Sequence, residues 1–132
     1  MPWYLDTSAF FKLVVAEDRS DAMRAWAREQ ESFGEKLWSS DLLRTEALRA
    51  ARRTAPSAVL AVREGLDRLA LITITVQTFE QAGVLEPIVL RSLDALHLAA
   101  ARSLGDDLRG VVTYDERMAE SARSLGIRLL RP

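Results

Sequence analysis

The sequence predicts an α/β fold: a small parallel sheet of about four to five strands with helices on both faces. Three observations support this. Short apolar or β-branched runs alternate along the chain with segments of helical period. Successive runs are separated by enough residues for a helical crossover, as parallel pairing requires. No internal repeat, low-complexity tract or linker interrupts the pattern, so residues 1–132 are expected to form one domain. A chain of this length buries about two-thirds of its unfolded surface.

Trp3, Tyr4 and Leu5 open a strand over 3–6 that ends on Asp6. Apolar residues then recur with helical spacing over 8–15 and again over 20–31. Leu37-Trp38-Ser39 is a short second strand, and Asp41 is placed to cap a helix over 42–53. Pro56 separates that helix from another over 57–69. The run LITIT at 71–75 alternates β-branched residues and predicts a third strand. Helices follow over 77–89 and 93–104, the second with Ser92 as its N-cap. Residues 110–113 form a strand, a helix runs on to Leu125 before Gly126, and 127–130 close the sheet.

Composition narrows the chemistry. With no cysteine in the chain, disulfides, thiolate metal sites and thiol nucleophiles are excluded. The N-terminus lacks the basic and apolar regions of a signal peptide, and no apolar run approaches the ~20 residues of a membrane span. A cytoplasmic location follows as the expectation. A formal charge of −1 is low for a nucleic-acid binder, but setting aside four acids considered below raises it to +3. A modestly basic body around an acidic pocket suits a phosphate-bearing substrate.

Those four acids are Asp6, Glu46, Asp94 and Asp115. Asp6 and Asp115 fall at the carboxyl ends of strands, where ligands of open parallel sheets bind. Each also has a local explanation. Asp6 can cap the helix that follows it, and Thr113 with Glu116 matches a capping box that puts Asp115 in a favourable first turn. Glu46 is harder to dismiss. At 100° per residue it lies on one arc with Leu42, Leu43, Ala47 and Ala50, inside the apolar stripe. Unpaired there, it would cost several kcal/mol or lose its charge; a salt bridge to Arg49 or Arg53 is the structural alternative. Asp94 opens the segment LDALHLAAA, otherwise polar only at His97. The helix dipole favours an acid in its first turn, but by only ~0.3–1 kcal/mol.

Carboxylates gathered in one pocket repel each other, and the usual remedy is a hard divalent cation such as Mg²⁺ or Mn²⁺. Such an ion activates water near neutral pH and binds phosphate oxygens, which is phosphodiester-hydrolysis chemistry. Arg44, Arg49, Arg52 and Arg53 lie on and after the Glu46 helix. They form either a solvated face or a phosphate-holding rim. His97, one turn from Asp94, is read as structural, bonded to backbone or water.

The ordered set Tyr-Leu-Asp-Thr-Ser-Ala at 4–9, Leu-Leu-Arg-Thr-Glu-Ala at 42–47, Asp-Ala-Leu-His-Leu-Ala-Ala-Ala at 94–101 and Val-Val-Thr-Tyr-Asp at 111–115 resembles the PIN-domain nucleases. Its order, spacing and size are most similar to the VapC-type toxins of toxin–antitoxin pairs. The resemblance spans essentially the whole chain. It implies a PIN-like α/β/α sandwich and an Mg²⁺- or Mn²⁺-dependent endoribonuclease, held inactive by a VapB-like antitoxin and forming homodimers. By position, it implies that Asp6 and Asp94 hold the principal ion while Glu46 and Asp115 complete the site. It likewise assigns the two site hydroxyls to Ser8 and Thr113. A further acid follows the fourth position in some members; Glu116, the residue there in this chain, is read as a cap.

Two other readings remain at this stage. Receiver and haloacid-dehalogenase-like proteins also place an aspartate at a strand end with Mg²⁺. Receivers want paired acids near the first strand and a late lysine, which are absent, and the phosphatases want D-x-D, where this chain has Ser8. A non-catalytic interaction module whose acids pair only with arginines is the other.

Overall fold

The computed structural model describes all 132 residues. Five parallel strands form one sheet: β1 (Trp3–Leu5), β2 (Trp38–Ser40), β3 (Ala70–Ile72), β4 (Gly110–Val112) and β5 (Leu129–Leu130). Their order is β3-β2-β1-β4-β5. Seven α-helices connect them: α1 (Thr7–Val14), α2 (Ser20–Ser32), α3 (Leu42–Thr54), α4 (Val59–Asp67), α5 (Val76–Gly83), α6 (Ser92–Arg102) and α7 (Glu116–Ser124).

The period-2 alternation of a strand divides the core into two layers. Trp3 and Leu5 of β1 pack with Phe10, Met23, Leu43 and Val62, which come from α1, α2, α3 and α4. Tyr4, between them in sequence, points the other way and packs with Leu98 of α6 and Met118 of α7. β4 repeats the division, with Val112 in the first cluster and Val111 in the second. Both faces of the sheet are thus covered, as a parallel sheet demands.

The strand order reverses between β1 and β4, so this pair marks the topological switch point, where a crevice opens beyond the carboxyl ends. Leu5 is in register with Val112, which sets the next residues, Asp6 and Thr113, side by side at that edge. At the other end of β4 the approach is close enough to require glycine. A Cβ on Gly110 would lie 2.5 Å from the Arg128 carbonyl oxygen and 2.7 Å from Trp3 Cζ3.

Several boundaries differ from expectation for identifiable reasons. The third strand ends at Ile72, because Thr75 leaves the sheet to cap α5, its hydroxyl accepting the Thr78 N–H. The helix expected over 77–89 stops at Gly83, four residues before Pro87, which cannot continue it. Ser92 is the first residue of α6 and not its cap; extended Arg91 stands at the cap position without a side-chain bond. Asp41 precedes α3 but makes no capping bond and pairs instead with Arg44. The last strand is confined to Leu129–Leu130. No helix is long and apolar enough to cross a membrane.

Candidate active site

Asp6 leaves β1 and becomes the N-cap of α1, with Oδ1 accepting the Ala9 N–H at 3.0 Å. The local explanation weighed for this residue therefore applies. The cap occupies part of one oxygen, and the remaining bonds come from the site. Ser8 donates its hydroxyl to Oδ1 at 2.7 Å, and Thr113 donates to Oδ2 at 2.5 Å. Asp6 is only 3% exposed. Burial pushes its carboxyl above the ordinary value, while the Thr113, Ser8 and Ala9 bonds pull against that push.

Thr113 joins the two central strands. Besides serving Asp6, its Oγ accepts the Asp115 N–H at 3.0 Å and lies 3.3 Å from the Ser8 hydroxyl. It is therefore not the cap of α7. Asp115 takes that role, its Oδ1 accepting the N–H groups of Arg117 and Met118. This corrects the capping-box reading: Thr113 faces inward, and Asp115 sits exposed at the rim. Glu116 points outward to Arg131.

Leu43, Ala47 and Ala51 form the buried stripe of α3, and Glu46 stands at its flank, half-buried. Its partner is neither Arg49 nor Arg53. Thr7 donates to Glu46 Oε1 at 2.8 Å, and His97 Nε2 meets the same oxygen at 2.5 Å. A carboxylate only accepts, so Nε2 carries the proton. Burial raises the Glu46 carboxyl, but the His97 bond and charge together with Thr7 outweigh it and leave it below its ordinary value. His97 is itself 2% exposed, and its Nδ1 lies 2.7 Å from the Tyr4 hydroxyl, which hydrogen-bonds Ser40 at 3.0 Å. Sequence reading gave His97 a backbone or water partner; the structure gives it Glu46 and Tyr4. Tyr4 and Thr7 carried no sequence signal beyond their neighbourhood to Asp6.

Asp94 lies in the first turn of α6, half-buried, one turn before His97. Burial pushes its carboxyl up, and the negative charges of Asp115, Asp6 and Glu46 push it further, against His97; no hydrogen bond offsets this. Asp94 thus feels the charges of the other three acids at a single edge of the sheet. As the side chains lie, however, no three of them close around one point. The donor set fits a hard cation in its chemistry: oxygen ligands only, mutual repulsion, and no lysine or arginine among the ion-pair partners of Asp6, Glu46 or Asp94.

Of the expected phosphate rim, Arg44 is in the first turn of α3 and pairs with Asp41. Arg49 and Arg53 are exposed. Arg53 lies about 10 Å along the helix axis from Glu46, at 1.5 Å per residue.

His97→Leu is expected to cost about 2–3 kcal/mol, since it strips the proton donor from Glu46 and leaves the Tyr4 hydroxyl with Ser40 alone. Tyr4→Phe, which keeps the core volume, should cost about 1 kcal/mol. Chemical denaturation of both variants measures this; equal, negligible losses would show that the network holds nothing in place.

Residues 3–124 match the sequence profile of the PIN domain. The ribonuclease VapC46 of Mycobacterium tuberculosis is 42% identical over 129 residues, covering 98% of this chain and 96% of that protein. The ribonuclease VapC47 of the same species is 38% identical over 124 residues, 93% and 91% of the two chains. Among solved structures, the sarcin-ricin loop cleaving toxin VapC20 of Mycobacterium tuberculosis superposes with a TM-score of 0.76 at 18% identity, covering 98% of this chain and 99% of that one. VapBC2 of Rickettsia felis, bound to a promoter DNA fragment, gives 0.72 at 14% identity, with 99% and 98% covered.

Proposed function

This chain belongs to the PIN-domain family, among its VapC-type nucleases, and we propose that it is a metal-dependent endoribonuclease toxin restrained by a cognate antitoxin. The supporting observation is that Asp6 stands at the β1–β4 switch point and Asp94 feels the charges of Asp115, Asp6 and Glu46, with no lysine or arginine paired to Asp6, Glu46 or Asp94.

Asp6 and Asp94 would hold the principal Mg²⁺ or Mn²⁺, with Glu46 and Asp115 joining directly or through water. Such an ion supplies counter-charge to the carboxylates and to a phosphodiester, and a water acidic enough to attack near neutral pH. The chain's own residues do the positioning. Thr113 and Ser8 fix the plane of the Asp6 carboxylate from both sides. His97 and Thr7 both hold Oε1 of Glu46, leaving Oε2 without a protein partner and available to take a proton from an attacking water. RNA cleavage that requires Mg²⁺ or Mn²⁺, stops with a chelator and is lost in Asp6→Ala is the expected result. Undiminished cleavage by Asp6→Ala would refute the assignment.

The same reading includes a small VapB-like partner acting in the cytoplasm. A basic residue of that partner can replace the cation among the carboxylates. Its apolar segment has a place to dock in a 570 Å³ groove that includes Phe10, Leu13 and Val14 of α1, Ala27 of α2 and Ala61 of α4. Inhibition should weaken as Mg²⁺ rises and when the partner's basic residue is truncated. Inhibition indifferent to both would leave only steric blocking. A homodimer also belongs to this reading, supported by Val76, Phe79, Val84 and Ile88, apolar side chains that α5 and the loop after it leave exposed.

A further inference from the structure

A second depression, of 360 Å³, adjoins the acid cluster on the side away from α3. Pro87, Val89 and Leu90 form one wall, and Arg91, Asp94, Arg117, Glu120, Ser121 and Ser124 complete the lining. Asp94 therefore belongs both to the acid cluster and to this depression. Its charged side chains are two guanidiniums, Arg91 and Arg117, and two carboxylates, Asp94 and Glu120. Arg44, Arg68, Arg131 and Lys12 are paired with carboxylates, whereas Arg91 and Arg117 are exposed and free of them. Arg117 projects from the first turn of α7, whose N-cap is Asp115, and Arg91 immediately precedes α6, which carries Asp94. Two free guanidiniums thus flank the acids at the starts of two different helices.

A site of this volume is the size of one nucleotide, and its lining divides as a nucleotide does. Guanidinium groups suit a phosphate, and an apolar wall suits a ribose and base. No aromatic ring lines it, so the fit relies on shape and charge and not on base stacking.

Building on the ribonuclease reading, we propose that this depression is a subsite for one nucleotide of single-stranded RNA beside the scissile bond. Arg91 and Arg117 hold its phosphate and thereby set which bond faces Asp94. These arginines, and not only those of α3, determine the path of the strand.

The test uses the full-length protein carrying Asp6→Asn, so that RNA is not consumed, and a short fluorescent single-stranded RNA of mixed sequence. Arg91→Gln and Arg117→Gln should each raise Kd roughly tenfold. Each should also flatten the plot of log affinity against log salt by about 0.7, the increment for one phosphate contact to a single strand. Lysine at either position should restore the slope, because the charge returns. Arg109→Gln, whose guanidinium lies over the Trp3 ring, should leave both quantities unchanged. In the otherwise native protein, the two glutamine variants should raise KM while kcat stays near the parental value. If the parent cleaves and binds RNA but both variants match it in Kd and slope, the subsite is wrong and the nuclease reading stands. If the parent neither cleaves nor binds RNA, both fall together.

Discussion

Asp94→Asn is expected to lower RNA cleavage by about a thousandfold or more while raising the melting temperature of the metal-free protein, a combination that a structural residue cannot give. The reason lies in the surroundings of the carboxyl. Burial, Asp115, Asp6 and Glu46 all push its pKa up, and only His97 opposes them. A carboxyl whose folded pKa exceeds the unfolded value of 3.8 destabilises the fold whenever it is ionised. That penalty is complete above the folded pKa and fades as pH falls toward 3.8. The amide removes it at neutral pH. The stabilisation should amount to a few degrees at most, because water partly screens a half-buried group. It should shrink on acidification from pH 7 toward 4, where the wild-type carboxyl protonates. Saturating Mg²⁺ should reverse the order by stabilising only the wild type. Thermal melts across pH, with and without Mg²⁺, check each part. An Asp94→Asn protein that melts well below wild type without metal would make Asp94 a helix-capping residue and nothing more.

Thr113→Val should do the opposite to stability and still abolish most activity. The substitution preserves shape but removes a hydroxyl that donates to Asp6 Oδ2 and accepts the Asp115 N–H. Two polar groups then lose a partner; for an Asp6 that is 3% exposed, water cannot substitute. The expected cost is about 2–4 kcal/mol. Without its largest stabilising hydrogen bond the Asp6 pKa climbs further, so the variant loses more stability at pH 7 than near pH 4. Activity should fall with it, since the carboxylate that would bind the cation loses the bond that orients it. Thr113→Ser retains the hydroxyl and should recover most of both. Activity lost equally in the valine and serine variants would mean that the methyl group, and not the hydrogen bond, matters.

The alternation of periods made the α/β architecture legible, because strands and helices repeat their apolar residues every 2 and every 3.6 positions. Asp6 stood out by ending a strand, and Asp94 by interrupting an apolar helix. Glu46 was found by helical phase, although Leu43, Ala47 and Ala51 turned out to centre the buried face and Glu46 to flank it. The partner of Glu46 was not legible. His97 is 51 residues away, and Tyr4 is 93 residues from His97; no local pattern encodes such a meeting. Arg91 and Arg117 were hidden for the same reason. Each looked like an ordinary surface charge until the fold set both beside Asp94. Strand lengths erred where one residue had two possible uses. Thr75 reads as β-branched, yet its hydroxyl is spent on α5.

The pairing of β1 with β4 also governs when the site comes into being. Asp6 leaves the ribosome 107 residues ahead of Thr113, which orients it. At about 5–20 residues per second, synthesis separates the two by roughly 5–20 s. Throughout that interval the first strand lacks its neighbour on one side, and the carboxylate that would hold the principal ion lacks the bond that fixes it. A nascent chain of this protein therefore cannot complete the surroundings of Asp6 until β4 has been made. The same holds for any fragment released before β4.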